Sequence, residues 1–428
     1  MKMRNEKNIK NVVFKNAKIW NGNCFDNCDE FSVIQGKDLA SEEFDCNGAL
    51  VMPALFGLGV DFMEPLRDDV YTFADGLDAL HRGGFCGALY ESAANPIDDA
   101  DKLSAMKFRV NSPDLEYNFA NRFDIKFLGA YSKGFGSDSL AEMMELADDE
   151  SVAGFGDGGA AIPSTRFIRL AMEYGKMTGK RFFFQPLDKS LRKHGCVHEG
   201  AYSDMLGMKG IPRIAETIAA HTVLEMARFL QVPVHFKQVT CGETLDLVRD
   251  ARKKGIDVTC DVGLYHLLLD DSCLESLDSA YHILPPIRSA ADREALWKGI
   301  EDGTVNAISM NHTPVLGQDT EVNFEDSVPG AVSLEIALPA IWKELSSKVG
   351  DARAIELLSD APAKLVGAKP AFDRNSKKMT DMVVLDPNKP HVVTKKDFAG
   401  HVSNSPFLGK TLSSSILGTL ISGALTKF

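Results

Sequence analysis

The sequence lacks an excess of positive charge and any apolar run long enough to cross a bilayer. Its 60 acidic residues outnumber the 47 lysines and arginines, and the formal net charge is −13. Because a nucleic-acid partner requires a basic face, that class of function is disfavoured. The most apolar late segment, LSSSILGTLISGAL at 412–425, is too short and too rich in serine and glycine for a membrane span, and it favours a terminal pair of strands.

The sequence also gives little sign of a secretion signal or of a full set of metal-binding cysteines. The first residues, MKMRNEKNIKNVVF, are charged and contain neither an apolar core nor a small-residue cleavage site, so no signal peptide is expected. Eight cysteines are scattered along the chain, which fits reduced thiols in a cytoplasmic protein. Cys24 and Cys28 have loose metal-ligand spacing, but no second Cys or His pair follows nearby, and a surface loop is predicted there.

What is present is a composition typical of globular proteins, 44% hydrophobic and 25% charged, over 428 residues. That length favours one large domain and one small one. Short strands are predicted near the start, in VVFKNAKIW and FSVIQGKD, and they return as MVVLD and again from about residue 404. These strand-rich ends, 1–50 and 368–428, are predicted to form one small composite β domain.

Between them, residues 51–367 alternate strands with helices. The predicted strands are ALVMPALFGL, FCGALYES, IKFLGAY, VAGFGD, RFFFQPL, VPVHFKQVT, IDVTCDVGLY and VNAISMNH. Most links carry a helical period, as in 164–179 and 211–230, and the face shared by Val70, Phe73 and Leu77 starts another. Eight strands alternating with helices predict an α/β fold, a (β/α)8 barrel of the TIM type.

Reactive side chains of such a barrel lie where its strands end. The predicted strand ends are Gly59-Val60-Asp61, Glu91-Ser92-Ala93, Asp157, Gln185-Pro186-Leu187-Asp188, His235-Phe236-Lys237-Gln238, Tyr265-His266 and Asn311-His312. A zinc hydrolase needs several imidazoles and a carboxylate to hold the metal and acidify a water. Here glycines, amides and scattered acids predominate, so the sequence predicts a poor zinc site.

Seven blocks of the sequence resemble the dihydroorotases of the cyclic amidohydrolase superfamily. They are VMPALFGLGVDFMEP, GGFCGALYESAANP, MLGMKGIPRIAET, VHFKQVT, VTCDVGLYHLLLDD, LPPIRSAADREALWKGIEDGTVNAI and MNHTPV. The resemblance covers nearly the whole chain, and LPPIRSAADREALW is particularly specific. It implies the amidohydrolase type of barrel and, for active members, the zinc-dependent, reversible cyclisation of N-carbamoyl-aspartate to dihydroorotate.

Carried over residue by residue, the resemblance implies that the metal ligands are replaced. The Asp-x-His-x-His motif of the first strand falls on Gly57, Gly59 and Asp61. The metal histidine after strand five matches Gln185, and the one after strand six matches Gln238. A glycine offers no ligand, and a neutral amide binds zinc far more weakly than imidazole or carboxylate.

The base and the substrate contacts are replaced as well. The aspartate at the last strand, which acts as base in active relatives, matches Asn311, which cannot take a proton as a carboxylate does. The substrate arginine matches Met63, which cannot form a bidentate contact, and the substrate asparagine matches Ala93. The histidine that follows the last motif's proline matches Val315. His312 is retained.

One acid of the site also survives. In the Asp-Asp-Gly block after strand four, Asp157 is kept and its neighbour is Gly158. With metal, base and substrate clamp all missing, no catalytic, substrate-binding or metal residue and no cofactor are expected.

The pattern resembles the noncatalytic dihydroorotase-like chain that accompanies aspartate transcarbamoylase in some bacteria. That resemblance implies a structural or regulatory partner of the transcarbamoylase catalytic chain, in a cytoplasmic hetero-oligomer of pyrimidine biosynthesis. A homodimer is the open alternative when the chain is alone. Nucleic acid and membranes are not expected partners. Two other functions stay open: an active zinc dihydroorotase or related cyclic-amide hydrolase with unusual ligands, and a metal-free binder or enzyme that uses Lys237, Asp157 and His312.

Several polar residues have a structural interpretation that is favoured over a functional one. Lys237 is predicted to form a salt bridge with Asp157 or Asp188 in the space of the lost zinc, rather than a Schiff base. Buried, hydrogen-bonded neutral rings are predicted for His235 and His266. Asp61 and Glu64 are predicted to cap the following segment or face water. The glycines of GDGGAA at 156–161 are predicted to form a loop rather than a phosphate cradle.

Overall fold

A computed structural model of the protein describes residues 11–33, 41–92, 94–112, 122–136, 138–158 and 164–428. These residues form two large sheets. One is an eight-stranded parallel sheet that curls into a barrel, and the other is a separate mixed sheet. Helices cover the outside of the barrel. The predicted fold class is therefore confirmed.

The strands, in chain order, are β1 (Asn11–Trp20), β2 (Phe25–Val33), β3 (Ser41–Asp45), β4 (Leu50–Pro53), β5 (Leu55–Val60), β6 (Phe85–Tyr90), β7 (Asp124–Ala130), β8 (Val152–Gly156), β9 (Arg181–Phe184), β10 (Val197–His198), β11 (Gly210–Ile211), β12 (Val234–Phe236), β13 (Val258–Gly263), β14 (Ala307–Ser309), β15 (Phe372–Asp373), β16 (Lys378–Met379), β17 (Met382–Asp386), β18 (His391–Val392), β19 (Thr411–Leu412), β20 (Ser415–Ile421) and β21 (Ala424–Lys427).

The α-helices are α1 (Phe73–Gly83), α2 (Ala100–Val110), α3 (Met143–Ala147), α4 (Thr165–Gly175), α5 (Lys189–Arg192), α6 (Ala201–Leu206), α7 (Ile214–Leu230), α8 (Gly242–Lys253), α9 (Leu264–Leu268), α10 (Ala290–Glu301), α11 (Gly317–Thr320), α12 (Leu334–Ile355) and α13 (Ala361–Leu365). The helix predicted over 211–230 begins later, at Ile214, and Val70 lies before α1, because Thr72 caps that helix through a reciprocal hydrogen-bond pair with Asp75.

The barrel is closed by backbone hydrogen bonds between its last and first strands. Around it the order is β5-β6-β7-β8-β9-β12-β13-β14, and all neighbours are parallel. Beyond β14, the amide of Met310 donates to the carbonyl of Leu58 at 2.8 Å and that of His312 donates to Gly59 at 2.9 Å. Each predicted barrel strand is present, so the predicted strand ends share one face of the barrel.

The small domain is a sheet in the order β2-β1-β4-β17-β20-β21, with β3 paired to β1. Strands from both ends of the chain therefore share it. The terminal hairpin of β20 and β21 turns at Ser422 and Gly423, whose φ angles of 46° and 78° suit a two-residue turn with both residues left-handed. This confirms the pair of strands predicted in 412–425. No helix among the described residues has the length and apolarity that a membrane crossing requires.

Two predicted segments differ in the structure. The run ALVMPALFGL contains two strands rather than one: β4 pairs with β1 and β17 of the small sheet, and β5 enters the barrel. Apolar composition is continuous across Ala54, so periodicity does not reveal the change of sheet. Cys28 lies on β2, and only Cys24 lies in the preceding turn. At about 3.3 Å per residue along an extended chain, the two cysteines are too far apart to share a metal ion.

A buried carboxyl near the start of α12 gives a prediction about pH. Glu335 accepts a hydrogen bond from the Ala399 amide at 2.8 Å, and its other oxygen has no partner among the described residues. Burial raises its pKa to about 7, with opposing smaller effects from Arg82 and Asp78. Because the pKa is higher in the folded chain than in the unfolded one, the stability linked to this proton is fully present below the unfolded pKa and is lost as pH rises through about 7.

Glu335→Gln should therefore be more stable than the parent at about pH 8, by up to about 3 kcal/mol, and nearly equal to it near pH 5. Glutamine keeps the oxygen that accepts from Ala399 and removes the charge. Urea unfolding of both chains at the two pH values measures the difference. A stability difference that is the same at both pH values would contradict the assignment.

Candidate functional site

A cavity of about 180 Å³ lies at the carboxyl ends of the barrel strands. It is lined by Gly59, Val60, Asp61, Glu91, Gly158, Gln185, Leu187, Arg192, Lys237, Gln238, Leu284, Pro285, Asn311, His312, Thr313, Pro329 and Gly330. Ligand pockets for drug-sized molecules are usually about 300–1,000 Å³. The cavity therefore has room for only a small ligand.

Five of the nine positions singled out from the sequence meet in this cavity. They are Gly59, Asp61, Gln185, Gln238 and Asn311. Met63 is half-buried against the barrel core, and Val315 is buried, with its amide donating to the Asn404 side chain at 3.1 Å. Ala93 and residues 159–161 of GDGGAA lie outside the described residues.

Asp157, the remaining position, is buried next to the cavity and belongs to a charge cluster centred on Lys237. The Lys237 Nζ lies 2.5 Å from Glu91 Oε2 and 3.9 Å from Asp157 Oδ1. Burial alone would lower the pKa of this ammonium, but the carboxylates of Glu91 and Asp157 outweigh burial, and the pKa of Lys237 is raised. The two acids therefore favour the charged form of the lysine.

That geometry confirms the predicted salt bridge to Asp157 and adds Glu91, whose partnership sequence reasoning missed. Asp188 is not part of the cluster. It accepts hydrogen bonds from the amides of Ser190 and Leu191 at 2.9 and 3.0 Å, which caps α5. A Schiff-base lysine must reach the neutral amine form, and this cluster favours the ammonium.

The side-chain amide of Gln238 borders position 59. A Cβ built on Gly59 would lie 3.0 Å from Gln238 Nε2, and Gly59 has φ of +64°, which side-chain-bearing residues rarely adopt. Gln238 and Asn311 are themselves left-handed, with φ of 51° and 55°. Such backbone angles cost energy and cluster at functional sites, so the rim keeps a strained backbone around uncharged amides.

Asn311 and His312 leave two buried polar atoms without partners among the described residues. The His312 Nδ1 accepts from the amides of Ser333 and Leu334 at 3.1 and 3.4 Å, so the proton of the neutral ring is on Nε2. Burial lowers the pKa of His312 to about 3. Neither His312 Nε2 nor Asn311 Oδ1 has a hydrogen-bond partner in the part of the chain that the structure describes.

Asp61 and Glu64 accept hydrogen bonds from backbone amides in the turn after β5 and at the start of α1. Asp61 Oδ1 accepts from the Met63 amide at 2.8 Å. Glu64 accepts from the Phe73 amide at 2.7 Å, at the start of α1, and pairs with Arg109 at 2.8 Å. These contacts confirm that the two carboxylates cap the following segment.

Asp261 organises the floor of the site and was not singled out from the sequence. Its Oδ1 accepts from the Gln238 amide at 2.8 Å and from the Ser309 hydroxyl at 2.6 Å, and its Oδ2 lies 2.8 Å from His235 Nε2. It therefore ties β12, β13 and β14 together below the cavity. The only sequence indication is a single acid inside the apolar run VTCDVG.

Both histidines with a structural interpretation are buried and hydrogen-bonded. The second nitrogen of His235, Nδ1, lies 2.8 Å from Thr259 Oγ1. The Nε2 of His266 lies 2.9 Å from the Pro285 carbonyl, and burial lowers the pKa of His266 to about 4. The burial and the hydrogen bonding predicted for the two rings are confirmed.

The donors that meet in the cavity suit zinc poorly. Two glutamines, an asparagine and a glycine line it, and its possible charged or imidazole ligands have other partners. Glu91 contacts the Lys237 ammonium, Asp61 accepts from the Met63 amide, and His312 Nδ1 accepts from the Ser333 amide. Elsewhere in the described ranges, Cys241, Glu243 and Asp292 bring ligand atoms within 4.8 Å of one another. The guanidinium of Arg213 contacts both carboxylates, and burial raises the pKa of the Cys241 thiol, so that group is an ion-pair cluster.

Comparisons with known proteins find both similar sequences and similar solved structures. No family model matches the chain. The dihydroorotase of Deinococcus radiodurans is 30% identical over 398 residues, which cover 92% of this chain and 93% of that protein. The dihydroorotase-like protein of Pseudomonas aeruginosa is 31% identical over 388 residues, 90% of each chain. The solved structure of the L-hydantoinase (dihydropyrimidinase) from Arthrobacter aurescens superimposes with a TM-score of 0.79 at 18% identity, covering 98% of this chain and 96% of that one.

Proposed function

The chain belongs to the dihydroorotase family, and from that premise we propose that it is a catalytically inactive member, a cytoplasmic structural or regulatory partner of the aspartate transcarbamoylase catalytic chain in pyrimidine biosynthesis. The observation that carries the inactive assignment is the charge cluster of Lys237, Glu91 and Asp157. An ammonium supplies the positive charge that a metal would otherwise bring to these acids.

Two further features support inactivity. Asn311 cannot act as a carboxylate base, and its side-chain oxygen has no proton donor to accept from among the described residues. The Gln238 side-chain amide lies 3.0 Å from where a Cβ at position 59 would stand, so a neutral amide borders this lost ligand position. The site thus keeps the backbone of a cyclic-amide hydrolase. The Lys237 ammonium takes the place of the metal's charge, Asn311 takes the place of the base, and the Gln238 amide borders a ligand position.

The partnership is tested by co-expression with the cognate transcarbamoylase followed by size-exclusion chromatography. We expect one peak that contains both chains at about micromolar concentration. Asn311→Asp is a suitable control, because this buried side chain faces the cavity and should leave co-elution unchanged. Two separate peaks, or an equal shift with an unrelated enzyme of similar mass, would contradict the partnership.

A second candidate function is a working zinc dihydroorotase or related cyclic-amide hydrolase with unusual ligands. Identity of about 30% to proteins named dihydroorotase over nine-tenths of the chain favours it. The two candidates differ in the zinc content and the ring-opening activity of the purified chain, so measuring both on one sample decides between them.

A further inference from the structure

A short basic turn borders the cavity at the carboxyl ends of the strands. Lys189 and Lys193 are exposed, at the start and just past the end of α5, and Arg192 is half-buried and lines the cavity. No ion pair among the described residues includes any of these three side chains. The three are called the basic turn, and they stand out because the chain as a whole has a net charge of −13.

The Arg192 guanidinium is partly removed from water without a counter-charge. Its Nε is enclosed and has no hydrogen-bond partner in the described part of the chain, whereas its two terminal nitrogens are not enclosed. Burial lowers the pKa of this guanidinium, and no neighbouring carboxylate offsets that effect. The acids that line the same cavity have other partners, since Lys237 contacts Glu91 and the Met63 amide donates to Asp61. The open end of Arg192 therefore suits an added carboxylate, which accepts from both terminal nitrogens.

The fold holds the basic turn in a strained conformation. Asp188 caps α5 by accepting from the amides of Ser190 and Leu191 at 2.9 and 3.0 Å, and the Lys193 amide donates to the Lys189 carbonyl at 3.2 Å. Lys193 then has φ of 45° and ψ of −114°, which lies outside the regions that residues with side chains ordinarily adopt. Strain of this kind persists only where the surrounding structure imposes it, and it clusters at functional sites.

The spacing within the basic turn indicates the kind of anion that fits it. Arg192 and Lys193 follow Lys189 by three and four residues, a spacing that places side chains on one side of a helical turn, about 5–6 Å apart. In an extended chain every second side chain points to the same side, with a repeat of about 6.6 Å. Successive acidic side chains of an extended segment therefore match successive cations of the turn. Of the three cations only Arg192 lines the cavity, whose 180 Å³ leaves room for a carboxylate side chain rather than for a whole peptide.

We propose that the basic turn docks an acidic, extended segment of a partner protein, with one Asp or Glu carboxylate on the Arg192 guanidinium and further acids on Lys189 and Lys193. The net charge of −13 repels anions at long range, so binding of an acidic segment reports this local arrangement and not a general attraction. The proposal concerns the surface of the isolated chain and does not depend on which protein supplies the segment. Binding of an acidic peptide can therefore succeed while the transcarbamoylase partnership fails, and the reverse.

Fluorescence anisotropy with the full chain and a labelled peptide of ten L-glutamates tests the docking site. At about 50 mM salt we expect a micromolar Kd, which weakens by about tenfold at about 200 mM salt, and no binding of a labelled Gly-Ser peptide of equal length. Inorganic pyrophosphate and a labelled oligothymidine of ten nucleotides represent the other classes of anion. Failure of the glutamate peptide to bind, its displacement by an equimolar amount of pyrophosphate, or equally tight binding of the oligonucleotide would overturn the acidic-segment class.

Variants locate the site on the basic turn. Arg192→Gln should weaken binding of the glutamate peptide by at least about tenfold, and Lys189→Gln with Lys193→Gln by at least about fivefold. The matched control, Lys343→Gln with Lys364→Gln, removes the same net charge from two other exposed lysines and should change Kd by less than about twofold. The double change at 189 and 193 alters only exposed side chains, so it tests the site independently of how well Arg192→Gln folds. Unchanged binding in that double variant or in a folded Arg192→Gln, or equal weakening in the control, would overturn the assignment.

Discussion

Replacing Lys237 with methionine should lower the free energy of unfolding by about 3–5 kcal/mol. The substitution keeps the length of the side chain but leaves the Glu91 and Asp157 carboxylates without their cation in a cavity where Lys237 is 4% exposed. A buried charge that loses its partner still has the cost of leaving water, and no attraction offsets that cost. Urea denaturation at neutral pH, read as the midpoint at constant slope, gives the change.

Two further variants separate the charge cluster from general effects of the substitution. Lys253→Met removes an exposed lysine paired with Asp250 at 3.1 Å and should change stability by less than about 0.5 kcal/mol. The triple variant Lys237→Met, Glu91→Gln, Asp157→Asn removes every charge of the cluster and should recover most of the loss. A free energy of unfolding of Lys237→Met within about 1 kcal/mol of the parent value would show that the ammonium does not neutralise the two acids.

The sequence carries enough information to predict the barrel and the face that holds the site. Parallel strands buried on both sides are recognisable as short apolar runs, and in a barrel their ends must converge. That convergence predicts that Gly59, Gln185, Gln238 and Asn311 lie close together, and all four line the same cavity. The prediction that these positions hold neither metal nor substrate remains a prediction.

Local sequence patterns do not show which side chains on that face lie close enough to contact each other. Glu91 and Lys237 are 146 residues apart and meet at 2.5 Å, whereas Asp188, much nearer to Lys237 along the chain, turns away to cap a helix. Asp261 was missed because its polar partners come from the two neighbouring strands and the loop after one of them, and a lone acid in an apolar run does not identify them. The sequence therefore predicts the secondary structure but does not determine which distant side chains contact each other.

The compensation seen around Gly59 and Lys237 bears directly on metal binding. The Gln238 side-chain amide borders position 59, and the Lys237 ammonium contacts the acids. Histidines restored at 59 and 61 alone would meet the Gln238 amide and a left-handed backbone at position 59. We infer that recovery of a zinc site requires changes at the compensating residues as well as at the ligand positions.

We expect the purified parent chain, grown with added zinc, to contain less than about 0.1 zinc per chain and to open the ring of dihydroorotate no faster than buffer. A working hydrolase exceeds the uncatalysed rate by at least about 10⁶-fold, so a small residual activity would be visible. Elemental analysis and a ring-opening assay on one sample measure both. Near-stoichiometric zinc together with ring opening would overturn the inactive assignment and favour the zinc-hydrolase candidate.

A restoration series locates the cause. Gly59→His with Asp61→His should remain free of zinc; so should the same pair extended with Gln185→His, Gln238→His and Asn311→Asp, as long as the Lys237 ammonium stays beside Glu91. Adding Lys237→Ala to the five changes removes that cation, and zinc should then bind and raise the unfolding temperature with increasing concentration. Zinc binding that appears before Lys237 is changed would show that the Lys237 ammonium does not prevent zinc from binding.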